Sequence, residues 1–433
     1  MEIPVFSIEK VARLSGSIPG MHAGASVTGD GTGGALMAGG FGKSGLSNDI
    51  YSLKRGGDFA NEEHWIWKRY TYDKGNSQLR PRLGHAAVLW NDRWLVIYGG
   101  EGRLGPDGQV FEENHQNNEQ ENVCTVNSKV RWKPTLLTST EVFDINSGLV
   151  KKLYPYGGIA PGGRIGHTLV AGKDGILLSG GRAEDVANRM DFWWLDLSRA
   201  DFTGQEVTGA AWLKLDTCSL SDKAPSSNNF TTLYLTGVSR IANINLDNDK
   251  HHYVIACQKE RSKLWLLSVD SNKQLISFKC FHTIGFTHEG DQYHMSLLSV
   301  NSIGVPDFQN GFMFILSLDY LIWVKVKFLG HSLCLDEDKK IWGISGQKLY
   351  HVFVASEVWI LKIKDQEDHK TETDIKRYLQ GSTLIRQDRS VSGLTRNLAN
   401  QERNRLLQQL AKFKSELDCA KKEIEILQQG PKP

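Results

Sequence analysis

The chain has 433 residues, of which 43 are Gly and 12 Trp against only 11 Pro and 6 Cys. So much glycine with so little proline excludes a collagen-like or low-complexity chain and calls for many tight turns, while 40% apolar and 23% charged residues fit a chain with a real core. The net charge of +2, from 51 basic and 49 acidic side chains, leaves no global field to mark nucleic acid or an acidic membrane as a partner.

The opening segment MEIPVFSIEK lacks a basic region followed by a long apolar stretch, so no secretory signal is expected. Val5–Val11 is strand-like but belongs to no repeat. Three stretches that align with one another follow. The first holds Met21-His22-Ala23-Gly24-Ala25, Leu36-Met37-Ala38-Gly39-Gly40 and Asn48-Asp49-Ile50-Tyr51-Ser52-Leu53. The second holds Pro81-Arg82-Leu83-Gly84-His85-Ala86, Leu95-Val96-Ile97-Tyr98-Gly99-Gly100 and Thr140-Glu141-Val142-Phe143-Asp144. The third holds Gly163-Arg164-Ile165-Gly166-His167-Thr168, Ile176-Leu177-Leu178-Ser179-Gly180-Gly181 and Asp191-Phe192-Trp193-Trp194-Leu195-Asp196. Each unit reads as a strand opened by His, an apolar strand ended by Gly-Gly, an aromatic strand and often a Trp strand, as at Trp65-Ile66-Trp67 or Trp212-Leu213. Diglycine permits positive φ and close backbone approach; the aromatic strands offer large faces for packing sheet on sheet.

The order of His, Gly-Gly and aromatic strand resembles the Kelch repeat. That resemblance implies an all-β fold, a β-propeller with one four-stranded blade per repeat, and a seam position for the histidines His22, His85 and His167, the His after Gly hydrogen-bonding backbone. Weaker units follow. One holds His251–Cys257 as apolar strand and Lys263–Leu267 as aromatic strand. Another holds Tyr293–Val300, Phe312–Leu316 and Leu321–Val326. The last has Ile341–Gly346 and then Glu357–Leu361. Six units are counted, so a six-bladed propeller over residues 1–364 is expected, the N-terminal strand completing the last blade and removing exposed edges. The greasy stretch Phe312–Leu329 is broken by Asp319, Lys325 and Lys327 and reads as two strands and a turn, not as a membrane span.

Residues 365–392 are polar, lack strand alternation and read as a linker. Over 393–429 the spacing predicts a coiled-coil helix. Leu406, Phe413, Ala420 and Leu427 fall at d and Leu410, Leu417 and Ile424 at a, with Glu416 at g facing Lys421 at the next e. Gly430-Pro431 ends it. Self-association as a homodimer is the default reading, a packed surface helix or a different partner chain the alternatives.

Several motifs are decoys. Gly29-Asp30-Gly31-Thr32-Gly33-Gly34 fits GxGxxG but lies between two strands, where a dinucleotide site needs a strand and a helix. Gly40-Phe41-Gly42-Lys43-Ser44 imitates the end of a P-loop, yet Met37 stands where its first glycine belongs. His282, His288 and His294, with Glu289 nearby, do not share a strand or helix face, so no metal and no cofactor is expected. A similarity to galactose oxidase, with copper held by Tyr and His, would require a Tyr–Cys cross-link that the six scattered cysteines do not match. These cysteines form no CxxC pair and are read as reduced thiols of a cytoplasmic or nuclear chain.

The Kelch resemblance implies that the insertion 101–137 of the second unit lies on the face where such proteins bind partners, so Arg103, Glu112, Glu113 and His115 are taken as candidate partner-binding residues, a solvated, disordered excursion being the alternative. The expected function is a non-catalytic protein-interaction scaffold, binding no nucleic acid and inserting in no membrane. Its architecture is similar to that of fungal polarity and cytoskeletal scaffolds. The competing readings are a ubiquitin-ligase substrate receptor or nuclear complex subunit, and, in another class, an oxidase or hydrolase working at the propeller mouth.

Overall fold

The computed structural model describes residues 5–364 apart from a set of gaps, the longest at 57–63, 72–76, 105–132, 184–190, 219–232, 258–262, 284–295 and 328–340. The chain divides into two compact units, Met1–Thr383 and Leu384–Pro433. The second unit, with the coiled-coil seam from Leu406 to Leu427, lies outside the described residues. Every regular element among the described residues is a strand.

These strands build an all-β propeller. Five sheets succeed one another along the chain, and another joins its two ends. The first sheet runs Ser26–Gly29, Ala35–Ala38, Ile50–Arg55, His64–Arg69; the second Ala86–Trp90, Trp94–Tyr98, Thr140–Asp144, Val150–Leu153. The third runs Thr168–Ala171, Gly175–Ser179, Phe192–Asp196, Ala211–Lys214, and the fourth Leu233–Gly237, His251–Cys257, Lys263–Asp270, Leu275–His282. The fifth comprises Ser296–Ser299, Ser302–Asp307, Phe312–Ser317 and Ile322–Lys327. In the remaining sheet Ile341–Ser345, Tyr350–Val354 and Glu357–Lys364 are followed by Val5–Lys10, which pairs antiparallel with the strand before it, Val5 opposite Lys364. Three short segments add parallel fifth strands: Arg13–Gly16 beside His64–Arg69, Glu206–Val207 beside Val150–Leu153, and Asp216–Thr217 beside Leu275–His282. Each one covers an outer edge that would otherwise present unpaired backbone.

The apolar second strands lack alternation because both of their faces are buried. Leu36 and Ala38 pack toward Leu95 and Ile97 of the second sheet, whereas Ala35 and Met37 pack toward Val358 and Ile360. Val96 and Tyr98 face Ile176 and Leu178, and Leu177 turns the other way to Tyr253 and Ile255. Val254 then meets Val305 and Phe314. First strands also lie against first strands: Ser26–Gly29 against both Ile341–Ser345 and Ala86–Trp90, and Thr168–Ala171 against both Ala86–Trp90 and Leu233–Gly237.

The structure corrects the reading of the later units. In the fifth sheet Ser302–Asp307 supplies the second strand, so Phe312–Ser317 is third and Ile322–Lys327 fourth, with Leu318–Leu321 as the turn between them. In the last unit Ile341–Ser345 is the first strand, not the apolar second, which is Tyr350–Val354. Both missed strands look unlike their counterparts, since Gly304 and Pro306 interrupt one and His351 the other. No helix among the described residues is long and apolar enough to cross a membrane.

Candidate partner-binding face

The second strand of a sheet ends at its diglycine, and the connection from the fourth strand to the next sheet leaves from the same end. At this end an Arg-x-Gly-His cassette locks the second sheet to the first and the third to the second. Gly40 N–H donates to the Arg82 carbonyl at 2.8 Å, and Gly100 N–H to the Arg164 carbonyl at 2.9 Å. Gly84 N–H reaches the Gly24 carbonyl at 2.8 Å and Gly166 N–H the Gly84 carbonyl at 2.9 Å, a chain of bonds across three sheets. The glycines are required twice over. Gly39 and Gly99 have φ of 61° and 66°, and a Cβ on either would sit 2.8 Å from the Arg carbonyl and 2.8 Å from a His Cε1 of the next sheet.

The arginines are consumed inside the protein. Arg82 and Arg164 are both 0% exposed. Arg82 Nη1 donates to the Gly99 carbonyl at 2.9 Å, its Nη2 to Ser139 Oγ at 3.2 Å and to the Glu141 carboxylate. Arg164 Nη1 donates to the Gly180 carbonyl at 3.0 Å, while Nη1 and Nη2 grip Asp191 bidentately at 2.6 and 2.9 Å. A buried charge persists only when paired and hydrogen-bonded, and both guanidinium groups are. The repeat pattern contains these residues but does not by itself assign the pairs.

The histidines are neutral for the same reason. Burial, then the Arg164 guanidinium and Arg82, holds His167 down to about 3 against the opposing pull of Tyr98 and Asp191. Burial, then Arg82 and His167, likewise lowers His85. His85 Nε2 shares a 2.8 Å hydrogen bond with Ser26 Oγ of the preceding sheet, and the Ala38 backbone of that sheet also acts on the ring. His167 lies edge-on to Tyr98, with ring centroids 5.6 Å apart. His22 departs from the expected role. Gly24 occupies the place of Gly84, so His22 stands where the other sheets have Arg and Ala25 where they have His; its Nδ1 lies 2.9 Å from the Gly20 carbonyl.

The other motifs resolve locally. Asp30 Oδ1 accepts the N–H groups of Thr32 and Gly34 at 2.9 and 2.8 Å, which makes the glycine-rich stretch a capped hairpin. His282 ends a strand of the fourth sheet, while His288, Glu289 and His294 lie outside the described residues. Among the described residues no group of three His, Cys, Asp or Glu could hold a metal. Phe41–Gly42 pairs with Gly45–Leu46 as a two-stranded ribbon where the P-loop imitation stood.

What the diglycine end displays is different chemistry. The segments just past the diglycines bridge back to the neighbouring connection, as Ala23 with Phe41, Leu83 with Glu101 and Ile165 with Arg182. The insertion begins and ends as a ribbon, Glu101–Leu104 with Lys133–Leu136. Arg103 is exposed on that ribbon, whereas Glu112, Glu113 and His115 lie outside the described residues. Phe41 is 43% exposed, and on the connections leaving this end Ile18 is 45%, Tyr154 54% and Tyr156 82% exposed. Backbone bonds hold the two tyrosines in place, from Tyr154 N–H to the Val207 carbonyl at 3.3 Å and from Tyr156 N–H to the Ala210 carbonyl at 2.7 Å. Sequence reasoning passed over all four apolar residues; the one available signal was Tyr154-Pro155-Tyr156, a rigid turn with two large aromatics.

No protein-family model matches the chain, and no curated protein is significantly similar to it. The propeller assignment therefore rests on strand order and register.

Proposed function

We propose that this chain is a non-catalytic protein-interaction scaffold, a Kelch-type propeller whose diglycine end binds a protein partner. The observation that carries this is the division of chemistry at that end. The charged and titratable side chains of the cassette are absorbed in the seams, while Ile18, Phe41, Tyr154, Tyr156 and Arg103 face outward. Exposed aromatics and arginine on a rigid backbone are the composition of protein-binding patches. The ring is read as six blades, closed by Val5–Lys10. Support comes from the pairing of that strand with Glu357–Lys364, its contact with Ile322–Lys327, and the packing of Val358 and Ile360 against the first sheet. The heptad seam from Leu406 to Leu427 supports self-association, which adds avidity when a partner offers two sites. The free thiol of Cys218 agrees with a cytoplasmic or nuclear setting.

Partner capture by the propeller should survive removal of residues 393–433 and weaken when Phe41, Tyr154 and Tyr156 become Ala, read by affinity purification beside a variant lacking 101–137. Leu410→Glu with Leu417→Glu should halve the mass in light scattering and leave the β circular dichroism intact. Capture that ignores the aromatic substitutions, or a metal or cofactor copurifying in stoichiometric amount, would sink the scaffold reading; a persistent dimer would sink the zipper.

A further inference from the structure

We infer that the diglycine face takes an acidic segment of a partner protein, with apolar side chains set among its carboxylates. This rests on the reading of that face as the partner-binding surface and adds the partner's chemistry.

The inference follows from where the charges of this end are spent. In the first three sheets the carboxylates at the start of the third strand are neutralised within the protein. Asp49 is held by Arg69 at 2.6 Å, Glu141 by the buried Arg82 and by Arg80 at 3.4 Å, and Asp191 by Arg164 at 2.6 Å. Among the described residues just past the diglycines of three successive sheets stand Lys43, Arg103 and Arg182, all exposed, with Glu101 half-buried. None of these three cations forms an ion pair among the described residues. Phe41 stands beside Lys43 on one ribbon, and Ile18, Tyr154 and Tyr156 share the same end. The described residues of this face are thus positive and apolar, while the chain as a whole is nearly neutral at +2.

Complementarity assigns such a surface a negative partner with greasy residues. A protein segment fits better than nucleic acid or membrane. Three dispersed cations are too few to neutralise a phosphate backbone, which takes roughly 6–10 contacts for strong binding, and the exposed tyrosines suit side-chain packing.

The test selects binders for the full-length chain from a library of random twelve-residue peptides. Selected peptides should be enriched in Asp and Glu beside Leu, Ile or aromatic residues. Lys43→Glu with Arg103→Glu and Arg182→Glu should weaken a selected peptide about tenfold or more in fluorescence anisotropy, with wild-type binding falling as salt rises and the variant's not. These side chains are exposed, so an unchanged melting temperature serves as the folding control. Residues 105–132, which separate in sequence the two strands of the ribbon that carries Arg103, include five acidic and two basic side chains; replacing them by a two-residue turn should leave peptide binding at least as tight. Peptides neutral or basic in composition, or indifferent to the charge reversals, would overturn the acidic partner. If those same peptides are lost with Tyr156→Ala and Phe41→Ala, the face reading stands; if they are not, it falls too. Equal binding to an oligothymidine or to phosphatidylserine vesicles, lost in the triple variant, would reassign the face to that polyanion.

Discussion

The two halves of the propeller hold their sheets together by different chemistry. Between the first three sheets the seam combines apolar packing with a polar cassette at the diglycine end: a buried arginine, its carboxylate, a neutral histidine and two glycines. Beyond the third sheet the diglycines stop, and large apolar side chains dominate the described contacts across the seams, beside a 3.3 Å hydrogen bond from Trp323 Nε1 to Thr283 Oγ1. Trp194 and Phe192 meet Trp265 and Phe278, and Leu264 and Leu266 meet Phe314 and Trp323. Trp194 also stacks on His251 at 4.6 Å. One geometry is thus reached by two routes. The polar route fixes register, because a guanidinium must find its carbonyl and carboxylate; the apolar route is more tolerant of shape.

The largest expected effect breaks the polar route. Arg82→Ala takes from the buried Glu141 its buried partner, leaving only the partly exposed Arg80 at 3.4 Å, and should cost about 3 kcal/mol in urea unfolding. Arg82→Met with Glu141→Leu imitates the second half and should restore most of that loss. If the double variant is no more stable than the single one, the two chemistries are not interchangeable at this seam. Next comes Gly99→Ala, which adds positive-φ strain to a 2.8 Å clash and should cost about 2–4 kcal/mol. Gly157→Ala is its control, at φ 83° with nothing within 4 Å, and should cost about 1 kcal/mol. Equal losses at the two glycines would show that conformation alone, not the seam, demands diglycine.

The effect that is smallest at neutral pH is graded and grows on acidification. His167 is held near 3 in the folded chain and returns to about 6.5 when unfolded, so the unfolded state binds the extra proton. Stability is therefore full above pH 6.5 and falls between 6.5 and 3 by up to about 1.4 kcal/mol per unit for this group. His85, lowered for the same cause, adds to the slope. His167→Phe with His85→Phe should flatten the urea midpoint over pH 4–6.5. A slope unchanged in that variant would place the acid sensitivity elsewhere.

The first half of the fold was legible because its polar cassette constrains residue identity. Only glycine fits at Gly39 and Gly99, and the His after Gly84 or Gly166 marks the strand that follows. The apolar route constrains only size, so Ser302–Asp307 and Tyr350–Val354 passed unseen and their neighbours were shifted by one strand. The arginine pairs were hidden by spacing. Arg82 and Glu141 lie 59 residues apart, but Arg164 and Asp191 only 27, because loop length varies while the fold holds the pair. The candidate face was half legible. Its location followed from the insertion, but the exposure of Ile18, Phe41 and Tyr156 depends on where the connections run.

The pairing of Val5 with Lys364 places the first and last described strands side by side, with Val5 and Lys364 at one corner of the same sheet. A load drawn between those two residues pulls the pair apart one hydrogen bond at a time, as a zip opens, instead of sliding all the bonds at once. That sheet is mechanically weakest where its first and last strands in chain order meet.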